Sequence, residues 1–171
     1  KLQSNMKKII SEKLARILKN RKMLEKELNV KITNKGIEVV IEGLPIDEYL
    51  AEKVIDAINF GFPLSAAFMI KEEDVSFEIL NIKDYTKRKD FATIRARIIG
   101  KDGKTLKTLN NLTNCNFELK GNQVGIIGNS EDIKNAQIAV TAIIKGAKQS
   151  NAYSYLEKHQ TKPVFDLGLK E

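Results

Sequence analysis

Arg97-Ile98-Ile99-Gly100-Lys101-Asp102-Gly103-Lys104-Thr105 is the stretch on which the reading of this chain turns. Two glycines three apart let the backbone bend tightly with no Cβ between it and a ligand. Downstream, Leu106, Leu109 and Leu112 are three apart and predict a short amphipathic helix over 105–112. Upstream, residues 88–99 admit two readings. Thr93, Arg95 and Arg97 alternate with Ile94, Ala96 and Ile98 as in a strand, yet Phe91, Ile94 and Ile98 also fit helical spacing. With no turn residue inside it, the stretch is read as a helix.

A glycine loop between two helices can press its backbone against sugar–phosphate. The free N–H groups and positive dipole end of the second helix face the same spot. Lys101 and Lys104 add mobile positive charge, and an apolar floor of Ile98 or Ile99 with the strand near Phe117 would lie under splayed bases. Unstacked, single-stranded RNA suits such a site. The candidate RNA-binding residues are Arg95, Arg97, Ile99, Gly100, Lys101, Asp102, Gly103, Lys104 and Lys107. Gly103-Lys104-Thr105 also ends like a nucleotide-binding P-loop, but that pattern requires glycine where Ile98 stands.

Charge supports a polyanion. Residues 1–85 hold 14 Lys/Arg and 14 Asp/Glu, so the net +7 comes wholly from residues 86–171, with 15 and 8. Eight bases fall within 87–107, against Asp90 and Asp102 alone. Their concentration around the glycine loop favours a nucleic-acid site over a merely solvated face.

Working outward, the chain repeats itself. Lys35-Gly36 recurs as Lys120-Gly121, an offset of 85 (121 − 36). At that offset Val39 pairs with Val124, Ile41 with Ile126, Gly43 with Gly128, Asp47 with Asp132, Ala51 with Ala136, Ile58 with Ile143 and Gly61 with Gly146. Two copies of one unit result. In the second copy, Ser76–Ile82 reads as a strand. Asn116–Leu119 and Gln123–Ile127 form a hairpin across Lys120-Gly121-Asn122, and Ser130 caps a long helix that Gly146 ends. The first copy keeps Val30–Thr33, Ile37–Ile41 and a helix over Ile46–Phe60. Its front, Ile9–Leu28, reads as nearly continuous helix without glycine. The aligned positions, Ala15-Arg16-Ile17-Leu18 or Lys19-Asn20-Arg21-Lys22 with a gap, hold no Gly-x-x-Gly. The predicted domains are residues 1–74, which lack the glycine pair, and 75–171, which carry it.

The remainder narrows the function. One cysteine, Cys115, excludes an intrachain disulfide and reads as a small core residue of a reducing compartment. The sole histidine, His159, lies in a polar stretch with no cysteine nearby, so neither a metal site nor a nucleophile–histidine pair is expected. No cofactor is expected. Apolar runs are too short for a bilayer span, so no membrane association is expected. Ala152–Lys158 reads as an extra helix, and Thr161–Glu171, with Pro163, as a docking strand or a disordered tail.

Residues 98–105, Ile-Ile-Gly-Lys-Asp-Gly-Lys-Thr, resemble a KH domain of type I topology. Asn81-Ile82-Lys83-Asp84-Tyr85, Val124-Gly125-Ile126-Ile127-Gly128, Ile144-Lys145-Gly146-Ala147 and Tyr153-Ser154-Tyr155-Leu156-Glu157 extend the likeness. So does Gly61-Phe62-Pro63. Together they resemble the tandem-KH ribosome-assembly factors of archaea and eukaryotes. The resemblance implies an α+β fold of two type I KH-like domains (βααββα), each an antiparallel three-stranded sheet with helices on one face. It implies no catalysis, and binding of precursor small-subunit rRNA near its 3′ end. The implied partners are a PIN-domain endonuclease or a pre-ribosomal particle. An archaeal-type, cytoplasmic protein is expected, with Gly100, Lys101, Asp102 and Gly103 as the clamp. Other KH modules of RNA decay, transcription or translation, and an RNA-processing enzyme, are the rival readings.

Overall fold

A computed structural model describes residues 6–160; the tail Thr161–Glu171, read above as strand or disordered, lies outside them. The chain forms two three-stranded antiparallel sheets of identical topology. The first unit runs β1 (Lys7–Ile10), α1 (Leu14–Lys19), α2 (Arg21–Leu28), β2 (Val30–Lys35), β3 (Glu38–Gly43) and α3 (Pro45–Phe60), then a short α4 (Leu64–Phe68). The second runs β4 (Val75–Asn81), α5 (Phe91–Ile99), α6 (Lys104–Thr113), β5 (Asn116–Lys120), β6 (Gln123–Asn129), α7 (Ser130–Ile144) and α8 (Gln149–His159). The sheet orders are β1-β3-β2 and β4-β6-β5. Each is a βααββα unit. Among the described residues no helix is long and apolar enough to cross a membrane.

The repeat has geometric content. Gly36 and Gly121, at the two hairpin tips, adopt φ of 59° and 56°. Asn29 and Asn114, again 85 apart (114 − 29), close α2 and α6 in the left-handed conformation, with φ of 54° and 55°.

Two expectations need correction. Ile9 does not begin a helix: Lys7–Ile10 is a strand paired with β3, Ile9 opposite Val39. The central strand β3 offers a free hydrogen-bonding edge, and pairing with it overrides local helix preference. Ser130 is not the cap of α7. Asn129 takes that place, its side-chain oxygen accepting from Glu131 N and Asp132 N, at 3.1 and 3.2 Å. This satisfies amides that the first turn leaves free.

Each unit has its own core, and the second unit's β4 and β6 also pack on the first. In β3, Val39 and Ile41 are buried while their neighbours are half-exposed, so one face is covered. In β6, Val124 through Gly128 are all buried. Val124 and Ile126 face the helices of their own unit, whereas Ile127 joins the core of the first. Phe60 and Phe62, at the end of α3, pack edge-on against Phe77 of β4, with centroids 5.7 and 5.5 Å away. Gly125 allows this approach: a Cβ there would lie 2.7 Å from the Phe60 ring and 2.9 Å from that of Phe62. Lys120 of β5 also pairs with Glu12, at 2.7 Å.

Candidate nucleic-acid interface

Helix α5 is held by Ile94 and Ile98, both fully buried. It stops at Gly100, whose N–H still donates to Ala96 O at 2.8 Å while φ swings to 76° and ψ to 172°. A Cβ at Gly100 would lie 2.2 Å from Thr105 Oγ1 and 2.6 Å from Thr105 N. Glycine therefore serves two ends here, the backbone angles and the close packing of α6 onto the end of α5. Asp102 (φ 54°) and Gly103 (φ 74°) follow in left-handed conformations, and Gly103 N donates to Gly100 O at 3.2 Å. Around Gly103 the space is open, with nothing within 4 Å of an added Cβ.

Helix α6 then begins at Lys104 with no side-chain cap and no acid in its first turn. Its first amide, Lys104 N–H, donates to Lys101 O, and the positive dipole end of the helix faces the loop, where it favours an anion. Lys101, Lys104 and Lys107 are exposed, and Ile99 is 37% exposed at the rim. Among the described residues none of these lysines is ion-paired. The arrangement offers backbone donors, three mobile cations and one apolar side chain, which is chemistry for gripping a phosphodiester chain.

Ile99, Gly100, Lys101, Asp102, Gly103, Lys104 and Lys107 thus gather at one end of the helix pair. Arg95 and Arg97 are engaged elsewhere. The Arg95 guanidinium donates to Asn122 Oδ1 in the β5–β6 hairpin. Arg97 donates to Ile143 O at 2.9 Å and to Ala147 O, stapling the end of α7. Of the expected floor, Ile98 or Ile99 with the strand near Phe117, Ile98 and Phe117 are interior, at 0% and 5% exposure, and Ile99 keeps the accessible face. Arg88, one of the eight clustered bases, pairs with Asp90. That ion pair raises the pKa of Arg88 and lowers that of Asp90. Thr105 is the residue that sequence reasoning missed. Only its place two residues after the second glycine marked it.

Cys115 is buried at the end of α6, its sulfur against the backbone of Gly128. Burial pushes its thiol up to about 11, although the Thr113 hydrogen bond works against the shift. The thiol is therefore a packing group and a poor nucleophile at neutral pH.

Two βααββα sheets, one of them interrupted by a glycine loop between its paired helices, define a tandem KH protein of type I topology. A family model described as "Eukaryotic type KH-domain (KH-domain type I)", for the second KH domain of PNO1, matches residues 76–161. The chain belongs to this Pno1-type KH family. It is 30% identical over 149 residues to a KH domain-containing protein of Methanocaldococcus jannaschii, covering 83% of this chain and 66% of that protein. It is 28% identical over 142 residues to the pre-rRNA-processing protein pno1 of Aspergillus fumigatus, covering 79% and 56%. The chain thus spans little more than half the length of that fungal relative. The fold matches the crystal structure of Dim2p from Pyrococcus horikoshii at TM-score 0.81 and 26% identity, over 90% of this chain and 99% of that one. It also matches a chain in the crystal structure of an a/eIF2alpha-aDim2p-rRNA complex from the same organism, at TM-score 0.83 and 26% identity, over 92% and 95%.

Proposed function

We propose that this protein binds single-stranded RNA at Gly100–Gly103 and acts as a non-enzymatic factor in pre-rRNA processing, holding precursor small-subunit rRNA near its 3′ end. The observation that carries this reading is the start of α6 behind two glycines, without a side-chain cap and with Lys101, Lys104 and Lys107 free of ion-pair partners among the described residues. The names of the relatives, pre-rRNA processing for one and an rRNA complex for another, favour ribosomal RNA over other single strands. The division of labour we propose places RNA clamping in residues 75–171. Residues 1–74, where α1 meets α2 through Asn20 alone, scaffold them. A PIN-domain endonuclease or a pre-ribosomal particle is the partner class, with the protein presenting RNA and the partner cutting it.

Crosslinking the protein to RNA in cells, followed by sequencing of the attached fragments, tests this. Fragments from one end of small-subunit rRNA are expected. Dispersed messenger fragments would replace the reading with a general KH module, and cleavage of bound RNA by the pure protein would replace it with an enzyme.

A further inference from the structure

At the offset of 85 the loop glycines have no counterparts, yet its lysines do. Lys104 matches Lys19 (104 − 85) and Lys107 matches Lys22 (107 − 85). The left-handed caps Asn29 and Asn114 hold that register in space. In sequence Lys101 likewise falls on Arg16, one turn before Lys19 on α1. Residues 13–22 hold Lys13, Arg16, Lys19, Arg21 and Lys22, and no acid. The balance of 14 against 14 over residues 1–85 hides this concentration.

The fold turns these cations outward. Ile17 and Leu24, both fully buried, root α1 and α2 in the core, leaving Lys19, Arg21 and Lys22 exposed. None of the three has an ion-pair partner among the described residues. The acids of α2 are occupied: Glu25 accepts a hydrogen bond from Ile32 N at 2.8 Å, and Glu27 pairs with Lys71 at 3.1 Å. Lys19, Asn20, Arg21 and Lys22 border an open groove of about 550 Å³, with Asn34 of the β2–β3 hairpin across it. Strand β5 stands between this surface and α6, the helix that leaves the loop. That strand packs on α6, and its Glu118 feels the field of Lys13 and Arg16 of α1.

We propose that Arg16, Lys19, Arg21 and Lys22 form a second RNA-backbone surface, which takes phosphates of the strand held at Gly100–Gly103 by charge alone. The proposal rests on single-stranded RNA being the ligand of that loop. The α1–α2 link offers no glycine loop. Asn20 spans it, its side-chain amide donating back to Arg16 O at 2.8 Å. Contact here is therefore by mobile side chains, indifferent to base sequence and sensitive to salt.

The test uses the full chain and two oligouridylates. One is about 5 nucleotides long, near the four backbone nucleotides a KH loop clamps, and the other about 15. The wild type is expected to bind the longer RNA roughly tenfold more tightly or better. Three further phosphate contacts would make its log–log salt slope steeper by about 2. The triple variant Lys19→Gln/Arg21→Gln/Lys22→Gln should bring the longer RNA down to the affinity of the shorter and leave the shorter unchanged. Lys22→Glu alone should give a partial loss of the same kind, should the triple variant melt early. Wild-type affinity of the folded variants for the longer RNA overturns the proposal while leaving the loop untouched. It is also overturned if the triple variant loses affinity for polyglutamate but not for RNA, which would mark a surface for an acidic protein. Undiminished binding of the short RNA by Lys101→Asp would instead strike the loop reading itself.

Discussion

Gly100 and Gly103 look equivalent as letters but occupy different physical situations. Gly100 is locked by its backbone angles and by contact with Thr105, whereas Gly103 needs glycine only for φ and faces open space. Gly100→Ala should therefore cost on the order of 3 kcal/mol or more, from strained backbone and overpacking together. Gly103→Ala should cost about 1 kcal/mol, the left-handed penalty alone. Urea unfolding of both variants measures the difference. Gly103→Ala should also weaken RNA binding while the protein stays folded, because its methyl group would stand where the proposed clamp brings in the sugar–phosphate chain. Much of this site was legible, since the glycine spacing, the flanking isoleucines and the lysines announce a loop between helices. What was not legible was the use of each side chain. Nothing in the letters distinguishes Ile98, fully buried, from Ile99, which keeps 37% of its surface. A one-residue shift on a helix turns a side chain by about 100°.

Elements were read well where periodicity was strong and poorly where a partner strand decided. The helix preferred for 88–99 is α5, and both hairpins lie around their glycines. Strand β1 was missed because Lys7–Ile10 has no strand signal of its own and forms through pairing with β3. Arg97 shows the same limit for a site residue. Its charge and place beside the loop suggested an RNA contact, but its hydrogen bonds tie α5 to Ile143 O near the end of α7 and to Ala147 O just beyond it. Arg97→Ala is accordingly predicted to lower stability by about 2–3 kcal/mol, the range for hydrogen bonds from a charged donor. RNA affinity should stay within about twofold. A thermal melt beside an RNA titration separates the two roles. A normal melt with weakened binding would return Arg97 to the RNA surface.

At the scale of the whole molecule, two similar units are used unequally. The repeat was visible at its offset of 85, but the contact between the copies was not, because no letter says which face of β6 meets a neighbour. The unbroken burial of Val124–Gly128 reports it, since a sheet covered on both faces loses its alternation, as does the packing of Phe77 against Phe60 and Phe62. Gly125 is the hinge of that contact, and Gly125→Ala should destabilise the chain by about 1–3 kcal/mol through overpacking against Phe60 and Phe62. Differential scanning calorimetry of the variant checks this, and an unchanged melt would mean that the two aromatic rings shift freely. The central claim, that RNA is gripped at the loop, is tested most directly by Lys101→Asp. The substitution sets a second acid beside Asp102 at the mouth of α6 and falls on an exposed side chain. Titration of the variant chain with single-stranded RNA, beside a thermal melt, is the measurement. The account predicts that most of the affinity is lost with the melting temperature unchanged, as exposed positions alter stability by only about ±0.5 kcal/mol. Undiminished affinity in a normally folded variant would contradict it.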